Sequence, residues 1–136
     1  MIDITKIKIR GFHIDSYNHV NNTRYLEFLE EARWNIKDRH LQFFNDYEDE
    51  YGLITVNNNI DYLLPSFLGD DLRIESQVLK IGTKSVVFQH DIFNDSNNKH
   101  IIRAKATFVF FNRKKNQSEQ IPEELRKKLL MLFIDN

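Results

Sequence analysis

Residues 11–36 read GFHIDSYNHVNNTRYLEFLEEARWNI, and this stretch decides the fold. Its first half is polar and turn-forming. Asn21 or Asn22 can then cap a helix, because an asparagine side chain accepts hydrogen bonds from unpaired backbone N–H groups. Apolar residues follow at steps of three and four, which places them on one helical face: Tyr25, Phe28, Leu29, Ala32 and Ile36. We therefore predict a long amphipathic helix that begins at these asparagines.

The residues before this stretch predict a strand. Ile7 and Ile9 alternate with Lys6, Lys8 and Arg10, which is the period of a half-buried strand. Gly11 and the polar run 15–18 then end the alternation, so the helix follows after a short link.

After the polar connector 45–52, the apolar period changes to two for four successive segments. The predicted inward residues are Ile54, Val56, Ile60, Tyr62 and Leu64, with Asn58 among them; Leu72, Ile74, Ser76 and Val78; Val86, Phe88, His90 and Ile92; and Ala104, Ala106, Phe108 and Phe110. Pro65 with Gly69, Gly82, and residues 95–99 mark the turns between them. Pro122 suits the start of a last helix, whose apolar face would hold Leu125, Leu129, Leu130 and Phe133.

The resulting order is strand, long helix, four strands, helix. One early helix followed by consecutive strands predicts an α+β fold in which an antiparallel sheet packs against that helix. At 136 residues the chain has the size of one domain, and we expect a single domain over residues 1–136.

Composition excludes several classes of function. The net charge of -1 predicts neither a nucleic-acid nor an anionic-membrane partner. The absence of cysteine excludes disulfides, thiolate metal ligands and cysteine nucleophiles. The first ten residues alternate instead of forming the apolar segment of a signal peptide, so we expect a cytoplasmic protein.

The link before the long helix carries the chemistry. It places Asp15 with His13 and His19 beside a helix N-terminus, which presents unpaired N–H groups and a partial positive charge. Such donors suit a thioester carbonyl, whose oxygen becomes negative as a tetrahedral species forms. A nearby carboxylate can attack that carbonyl or activate a water.

The segment from Asp15 to Trp34, DSYNHVNNTRYLEFLEEARW, resembles the acyl-CoA thioesterases of the hot-dog superfamily, in the branch related to hydroxybenzoyl-CoA thioesterase. Weaker echoes continue through residues 56–62, Pro65 and residues 107–109. The resemblance implies a hot-dog fold, with a curved antiparallel sheet of about five strands wrapped around the long helix, plus a C-terminal helix.

The resemblance also implies a function and its residues. The substrate would be medium- to long-chain fatty acyl-coenzyme A, cleaved without cofactor or metal by a homodimer or homotetramer whose active sites lie at a subunit interface. Asp15 would be the catalytic carboxylate, the backbone N–H near Asn22 would polarise the carbonyl, and His19 would support them. The expected substrate-binding positions are Tyr25, Asn21 and Asn59.

Other interpretations of these residues stay open. Asp15 is also a common turn residue, and it can act as nucleophile or as general base. His19 can simply hydrogen-bond the loop backbone, and His13 reads as structural. A metal site formed by His13, Asp15 and His19 has suitable ligand types but lacks an obvious fourth ligand. Glu31 is an alternative carboxylate, since some hot-dog enzymes use a helix glutamate.

Outside the link, three features each have two interpretations. Asn58 falls on an apolar strand face, where a buried amide would need a partner, either in the active-site loop or in a second subunit. Residues 113–115, Arg-Lys-Lys, can meet coenzyme A phosphates or form a solvated turn. The eleven phenylalanines can line an acyl tunnel or form ordinary core.

Two rival functions are consistent with the same scaffold. Hot-dog hydratases place four residues between their Asp and His, whereas Asp15 and His19 have three between them, and the Gly-Asp-x-Asn-Pro context is missing. A non-catalytic module that binds acyl-CoA or an acyl carrier protein is the other, against which the intact Asp15 region argues.

Overall fold

A computed structural model describes residues 1–134, with the side chain of each of them except Phe43. The helices and strands, in chain order, are β1 (Asp3–Lys8), α1 (Asn22–His40), β2 (Tyr51–Tyr62), β3 (Asp71–Ile81), β4 (Ser85–Asn94), β5 (His100–Asn112), β6 (Gln117–Ser118) and α2 (Glu123–Met131). The predicted order of elements is confirmed, and the sequence analysis missed only the two-residue β6 and the 3-10 helices Gly11–His13 and Gln42–Tyr47.

All strand pairs are antiparallel, and the five long strands lie in the order β1-β3-β4-β5-β2. Register shifts interrupt β2 after Thr55, β3 after Val78 and β4 after Ile92. Such irregularities increase local twist and bend a sheet. The sheet therefore curls, and its concave face receives α1.

Helix α1 begins at the predicted asparagines, and its predicted apolar face is the buried one. The Asn21 side chain accepts a hydrogen bond from the Thr23 backbone N–H at 3.0 Å, so Asn21 is the N-cap. The five residues predicted for the apolar face are the buried residues of the helix: Tyr25, Phe28, Leu29, Ala32 and Ile36. Fully burying one large apolar side chain contributes about 1.5–3 kcal/mol, so this face alone fixes the helix to the sheet.

The core forms two clusters along α1. The inward residues predicted for β3, β4 and β5 are all buried, which confirms their alternation. One cluster packs beneath the N-terminal half of α1, and the other joins Ile36 to α2 through Leu125 and Leu129. The prediction for α2 is wrong at Leu130, which is 53% exposed, and at Phe133, which lies beyond the end of the helix at Met131. The residue directly after the helix, Leu132, is buried instead.

Strand β2 departs from its predicted burial. The residues expected on one inward face are largely exposed: Ile54, Val56, Asn58, Tyr62 and Leu64. The bulge between Thr55 and Asn57 breaks the alternation, and among the strands of residues 1–134 β2 lies at the edge of the sheet, with β5 as its one partner. The strand also ends at Tyr62, before Leu64. Only Ile60 of the set packs against the core, so the expectation that the Asn58 amide needs a buried partner is wrong for the single chain.

Strand β1 carries a buried charge that the sequence pattern did not show. The Asp3 carboxylate, 2% exposed, accepts hydrogen bonds from Arg39 at 3.0 and 3.1 Å and lies 3.1 Å from the His40 ring. These contacts join the first strand to the last turn of α1. Within residues 1–134, neither helix is long and apolar enough to span a lipid bilayer.

Candidate active site

The link between β1 and α1 is a tight, internally bonded loop. The Asp15 N–H donates to the His19 carbonyl at 3.0 Å, and the Asn18 N–H donates to the Asp15 carbonyl at 3.1 Å. Asn18 has a φ of 63°, a left-handed conformation that asparagine tolerates better than most residues. Ile14 and Val20 close the loop with an isolated antiparallel bridge. The loop therefore presents residues 15–19 in one defined conformation.

Asp15 and His19 face each other across this loop. Asp15 Oδ1 lies 3.9 Å from His19 Nδ1, and the two side chains are 21% and 35% exposed. The Tyr17 N–H donates to Asp15 Oδ1 at 2.9 Å, which orients the carboxylate. The Tyr17 ring stacks on His19 with 6.0 Å between ring centroids. The pair is thus pre-oriented yet open to a substrate or a water.

The loop is tied to the start of α1 and to the segment after β2. The Val20 N–H donates to the Ser66 carbonyl at 2.8 Å, and the Asn21 N–H donates to the His13 carbonyl at 2.9 Å. The Tyr25 hydroxyl donates to Ser66 Oγ at 3.1 Å, and both residues are buried. Burial, with smaller effects of Asp70 and Tyr62, raises the pKa of Tyr25 against the opposing hydrogen bonds from Ser66.

These contacts give Tyr25 a supporting position behind the loop. Its side chain is 2% exposed in the single chain and contacts the loop through Ser66, and its role in substrate binding stays a prediction. Ser66 was missed by the sequence analysis. The only local signal was its place after Pro65 in a turn, and the contact to Tyr25 spans 41 residues.

The first turn of α1 presents unpaired donors next to this loop. Asn22 is its first residue, so its N–H has no partner within the helix. The Asn21 side chain is already engaged by the Thr23 N–H and hydroxyl, at 3.0 and 2.8 Å. The Tyr62 hydroxyl, at the end of β2, reaches the Asn22 carbonyl at 3.5 Å. A partly positive helix end therefore lies beside the Asp15 loop.

Asn59 lies apart from this arrangement. It is exposed on β2 opposite Lys105 of β5, and no hydrogen bond within the described chain joins it to the loop. Glu31 lies exposed on the polar face of α1. Residues 113–115 form an exposed turn in which the N–H groups of Lys114 and Lys115 donate to the buried Asn112 side chain.

His13 has a structural place. Its Nδ1 accepts a hydrogen bond from the Arg10 N–H at 2.9 Å, and its ring packs edge-on against Phe28 with 5.0 Å between centroids. Burial first, then the charges of Arg24 and Arg10, lower its pKa against an opposing effect of Glu27. Across residues 1–134, the described His, Asp and Glu side chains form no group of three that could hold a metal ion.

A second polar group lies buried under α1, at some remove from the loop. Ser76 Oγ lies 2.7 Å from His90 Nδ1, and both residues are buried. Arg33 places its guanidinium 5.0 Å above the Phe108 ring and lines a cleft of about 410 Å³ between α1 and strands β2, β4 and β5. The alternation of apolar residues in β4 predicts that His90 is buried, but no sequence pattern indicates a role for His90 or Arg33.

Comparison with known proteins agrees with this geometry. The model of the thioesterase-like superfamily matches residues 11–129. The chain is 39% identical over 125 residues to the long-chain acyl-CoA thioesterase FadM of Escherichia coli, covering 92% of this chain and 95% of that protein.

Two solved structures show the same architecture. YbaW, a probable thioesterase from Escherichia coli, matches with a TM-score of 0.85 at 37% identity, covering 96% of this chain and 98% of the other. A 1,4-dihydroxy-2-naphthoyl-CoA thioesterase from Synechocystis matches with a TM-score of 0.86 over 97% and 98% of the two chains, and at 16% identity it supports the fold alone. With the curled antiparallel sheet around α1, these matches confirm the predicted hot-dog fold.

His90 makes the stability of the fold depend on pH. Burial, with a smaller effect of Arg33, lowers its pKa from 6.5 to about 3. Between these values the unfolded chain binds one proton that the folded chain does not. The free energy of unfolding should therefore fall as the pH falls from 6.5 towards 3, by about 1.4 kcal/mol per pH unit from this residue.

Urea unfolding of the wild type and of His90→Gln between pH 8 and pH 4.5 measures this contribution. The difference between the two proteins should be constant above pH 7 and change below pH 6.5, as the wild type loses stability faster. Parallel curves over the whole range would show that His90 does not titrate in this way.

Proposed function

Since the chain belongs to the thioesterase-like superfamily, we propose that it hydrolyses the thioester of medium- to long-chain fatty acyl-coenzyme A to free fatty acid and coenzyme A. One observation carries the proposal: a carboxylate, that of Asp15, is held in a rigid loop directly before the N-terminus of α1. The 39% identity to a long-chain acyl-CoA thioesterase supports both the reaction and the substrate class.

The proposed chemistry needs two elements. The thioester oxygen accepts a hydrogen bond from the Asn22 N–H, so the helix end stabilises the negative charge that develops there. Asp15 either takes the proton of an attacking water or attacks the carbonyl carbon itself. On the first route the tetrahedral species loses the coenzyme A thiolate, which takes the proton held by Asp15, and the free fatty acid forms directly. On the second route loss of the thiolate, which is protonated from solvent, leaves a mixed anhydride on Asp15, and a water then hydrolyses it to the fatty acid and the free carboxylate. His19, 3.9 Å from Asp15, orients the carboxylate or the water.

The exposed edge strand β2 supports a homodimer. Its side chains Ile54, Val56 and Tyr62 are 40–56% exposed, and its outer edge has no strand partner within the described chain. Pairing with β2 of a second copy would bury these side chains and continue both sheets. Tyr62 lies at one end of β2 and reaches the Asn22 carbonyl, so such an interface would approach the active-site loop.

Each protomer would then be one domain that contributes one loop and one α1. Asn59, exposed on the same strand, would lie at this interface, where its expected contact with substrate becomes possible. A homotetramer and a cytoplasmic location stay predictions.

Replacement of Asp15 tests the reaction. Asp15→Asn keeps the size of the side chain and its acceptor for the Tyr17 N–H, but removes the base or nucleophile. We expect thiol release from long-chain acyl-CoA to fall by about 100-fold or more. Asp38→Asn, an exposed aspartate on α1, is the matched control and should retain wild-type rates.

The assay should include crotonyl-CoA hydration and palmitoyl-CoA binding. Thiol release that is unchanged in Asp15→Asn would disprove the assigned role of this carboxylate. Binding of palmitoyl-CoA with no thiol release by the wild type would instead support the non-catalytic binding module, and hydration of crotonyl-CoA would support the hydratase.

Asn22 allows a sharper test, because the proposed donor is its backbone N–H. Asn22 is the first helical residue, a position where proline is tolerated, and Asn21 already has the extended conformation (φ -60°, ψ 135°) that a following proline requires. Asn22→Pro should therefore fold, yet lower kcat by about 100-fold or more, as expected for loss of an oxyanion donor. Asn22→Ala keeps the N–H and should stay within a few-fold of wild type. Equal rates for the two variants would rule out this donor.

The dimer is tested at Val56, which the bulge in β2 turns to solvent. Val56→Asp should shift the protein towards the monomer in sedimentation analysis, because a carboxylate buried at an interface is costly without a partner. Leu130→Asp, at a similarly exposed apolar residue on α2, is the control and should not change the mass. A Val56→Asp protein with unchanged mass would place the interface elsewhere.

A further inference from the structure

Two buried polar atoms under α1 lack partners. Arg33 Nη1 and His90 Nε2 are screened from solvent, and neither has a hydrogen-bond partner within the described chain. Leaving such groups unpaired is unfavourable, since each has lost its hydrogen bonds to water. The proposed reaction at the Asp15 loop uses neither of them.

The two atoms belong to one neighbourhood. The Arg33 guanidinium lies over Phe108, whose ring contacts Phe88 with 5.8 Å between centroids. The His90 ring stacks on Phe88, with 5.9 Å between the ring centroids and an interplanar angle of 4°. The charge of Arg33 also acts on His90 and lowers its pKa further below the value set by burial. Arg33 and His90 therefore contact adjacent rings, Phe108 and Phe88, both of which line the cleft together with Arg33.

Their hydrogen-bonding roles are complementary. Ser76 Oγ lies 2.7 Å from His90 Nδ1, and either atom can be the donor. We infer the tautomer with the proton on Nδ1, because the positive charge of Arg33 favours a lone pair on Nε2 over an N–H there. The acceptor His90 Nε2 and the donor Arg33 Nη1 then both lack a hydrogen-bond partner within the described chain. A hydroxyl group satisfies both, because it accepts one hydrogen bond and donates one, whereas a carboxylate can only accept.

The adjoining cleft is suited to an alkyl chain. Its volume of about 410 Å³ lies within the range of ligand pockets. Arg33 lines it together with apolar side chains that include Ile36, Leu53, Phe88 and Phe108. Glu30, also in the lining, partly offsets the charge of the guanidinium, which favours a neutral hydroxyl over an anion.

We propose that Arg33 and His90 form a recognition site for a hydroxyl group on the acyl chain, so that hydroxylated long-chain acyl groups are preferred substrates. The preference in turnover rests on the proposed thioesterase function. Arg33 lies three turns beyond Asn22, roughly 16 Å along the helix axis. An extended chain that starts at the helix N-terminus and follows α1 would span this with about 13 bonds, so the hydroxyl belongs in the distal half of the chain.

Turnover of matched substrates tests the preference. The substrates are sixteen-carbon acyl-CoA esters that are unsubstituted, hydroxylated at carbon 3, or hydroxylated at about carbon 12. The distally hydroxylated ester should show kcat/KM about tenfold above the other two, as expected for one well-formed buried hydrogen-bonding site. Arg33→Met should abolish the difference. Arg103→Met, which removes an exposed guanidinium from β5, should retain it.

A binding measurement separates this inference from the proposed reaction. Calorimetry with the free acids, distally hydroxylated and unsubstituted, should show about tenfold tighter binding of the hydroxy acid to the wild type and equal binding to Arg33→Met. Tighter binding of the hydroxy acid without thiol release from any ester would disprove the thioesterase proposal but support the recognition site. Equal binding and equal turnover of all chains would overturn the recognition site and leave Arg33 and His90 bridged by a buried water.

The variants also report their own folding. Arg33→Met removes an unmatched donor, so its thermal midpoint should be at or above that of the wild type. If it does not fold, the double variant His90→Phe with Ser76→Ala removes the other half of the site without leaving Ser76 unpaired. Retention of the hydroxyl preference by that double variant would likewise overturn the proposal.

Discussion

The burial of one face of α1 against the concave side of the sheet is the constraint on which the rest of the structure depends. The buried residues of α1 lie on that face, and their spacing fixes the rotation of the helix about its axis. Once that rotation is fixed, the position and direction of the helix N-terminus are fixed as well. The loop that carries Asp15 must then enter the helix from one side, and Asn21 caps it there.

The loop is held in place by contacts distant in sequence. The Ser66 carbonyl accepts a hydrogen bond from the Val20 N–H, and the Ser66 hydroxyl accepts one from the Tyr25 hydroxyl. This one buried residue after β2 therefore positions both the end of the loop and the first turn of α1. The Asp15 carboxylate, a hydrogen-bond acceptor, thus lies in the loop directly before the first turn of α1, which presents N–H donors. Within the described chain, no hydrogen bond joins the carboxylate to these donors. A reacting carbonyl group needs that separation, because it must be approached by both.

Periodic and local features were predictable from the sequence, and features that depend on distant partners were not. The apolar face of α1, an asparagine cap at residue 21 or 22 and the alternation in β3, β4 and β5 follow from local sequence alone, and the structure confirms them, with Asn21 as the cap. The alternation in β2 gave the wrong burial, because a bulge shifts it and because an edge strand has only one neighbour in the chain. The roles of Ser66 and of the buried Asp3 depend on contacts across 41 and 36 residues, which no local pattern encodes. Asp15 and His19 were identified through the resemblance of residues 15–34, and the loop geometry then brought them together.

The length of α1 separates two kinds of chemistry within one rigid element. At its N-terminus the unpaired backbone N–H groups and the Asp15 loop can act on a carbonyl group, whereas three turns later Arg33 and His90 present unmatched polar atoms beside an apolar cleft. A fold selected for stability alone would replace a partly buried guanidinium with an unpaired Nη1 by an apolar side chain of similar size. A helix that is fixed by its apolar face holds two sites at a constant distance, one for the reacting group and one for a distant polar group of the same substrate. On that basis, we expect the cleft beside Arg33 to discriminate among acyl chains by the position of a polar group as well as by length.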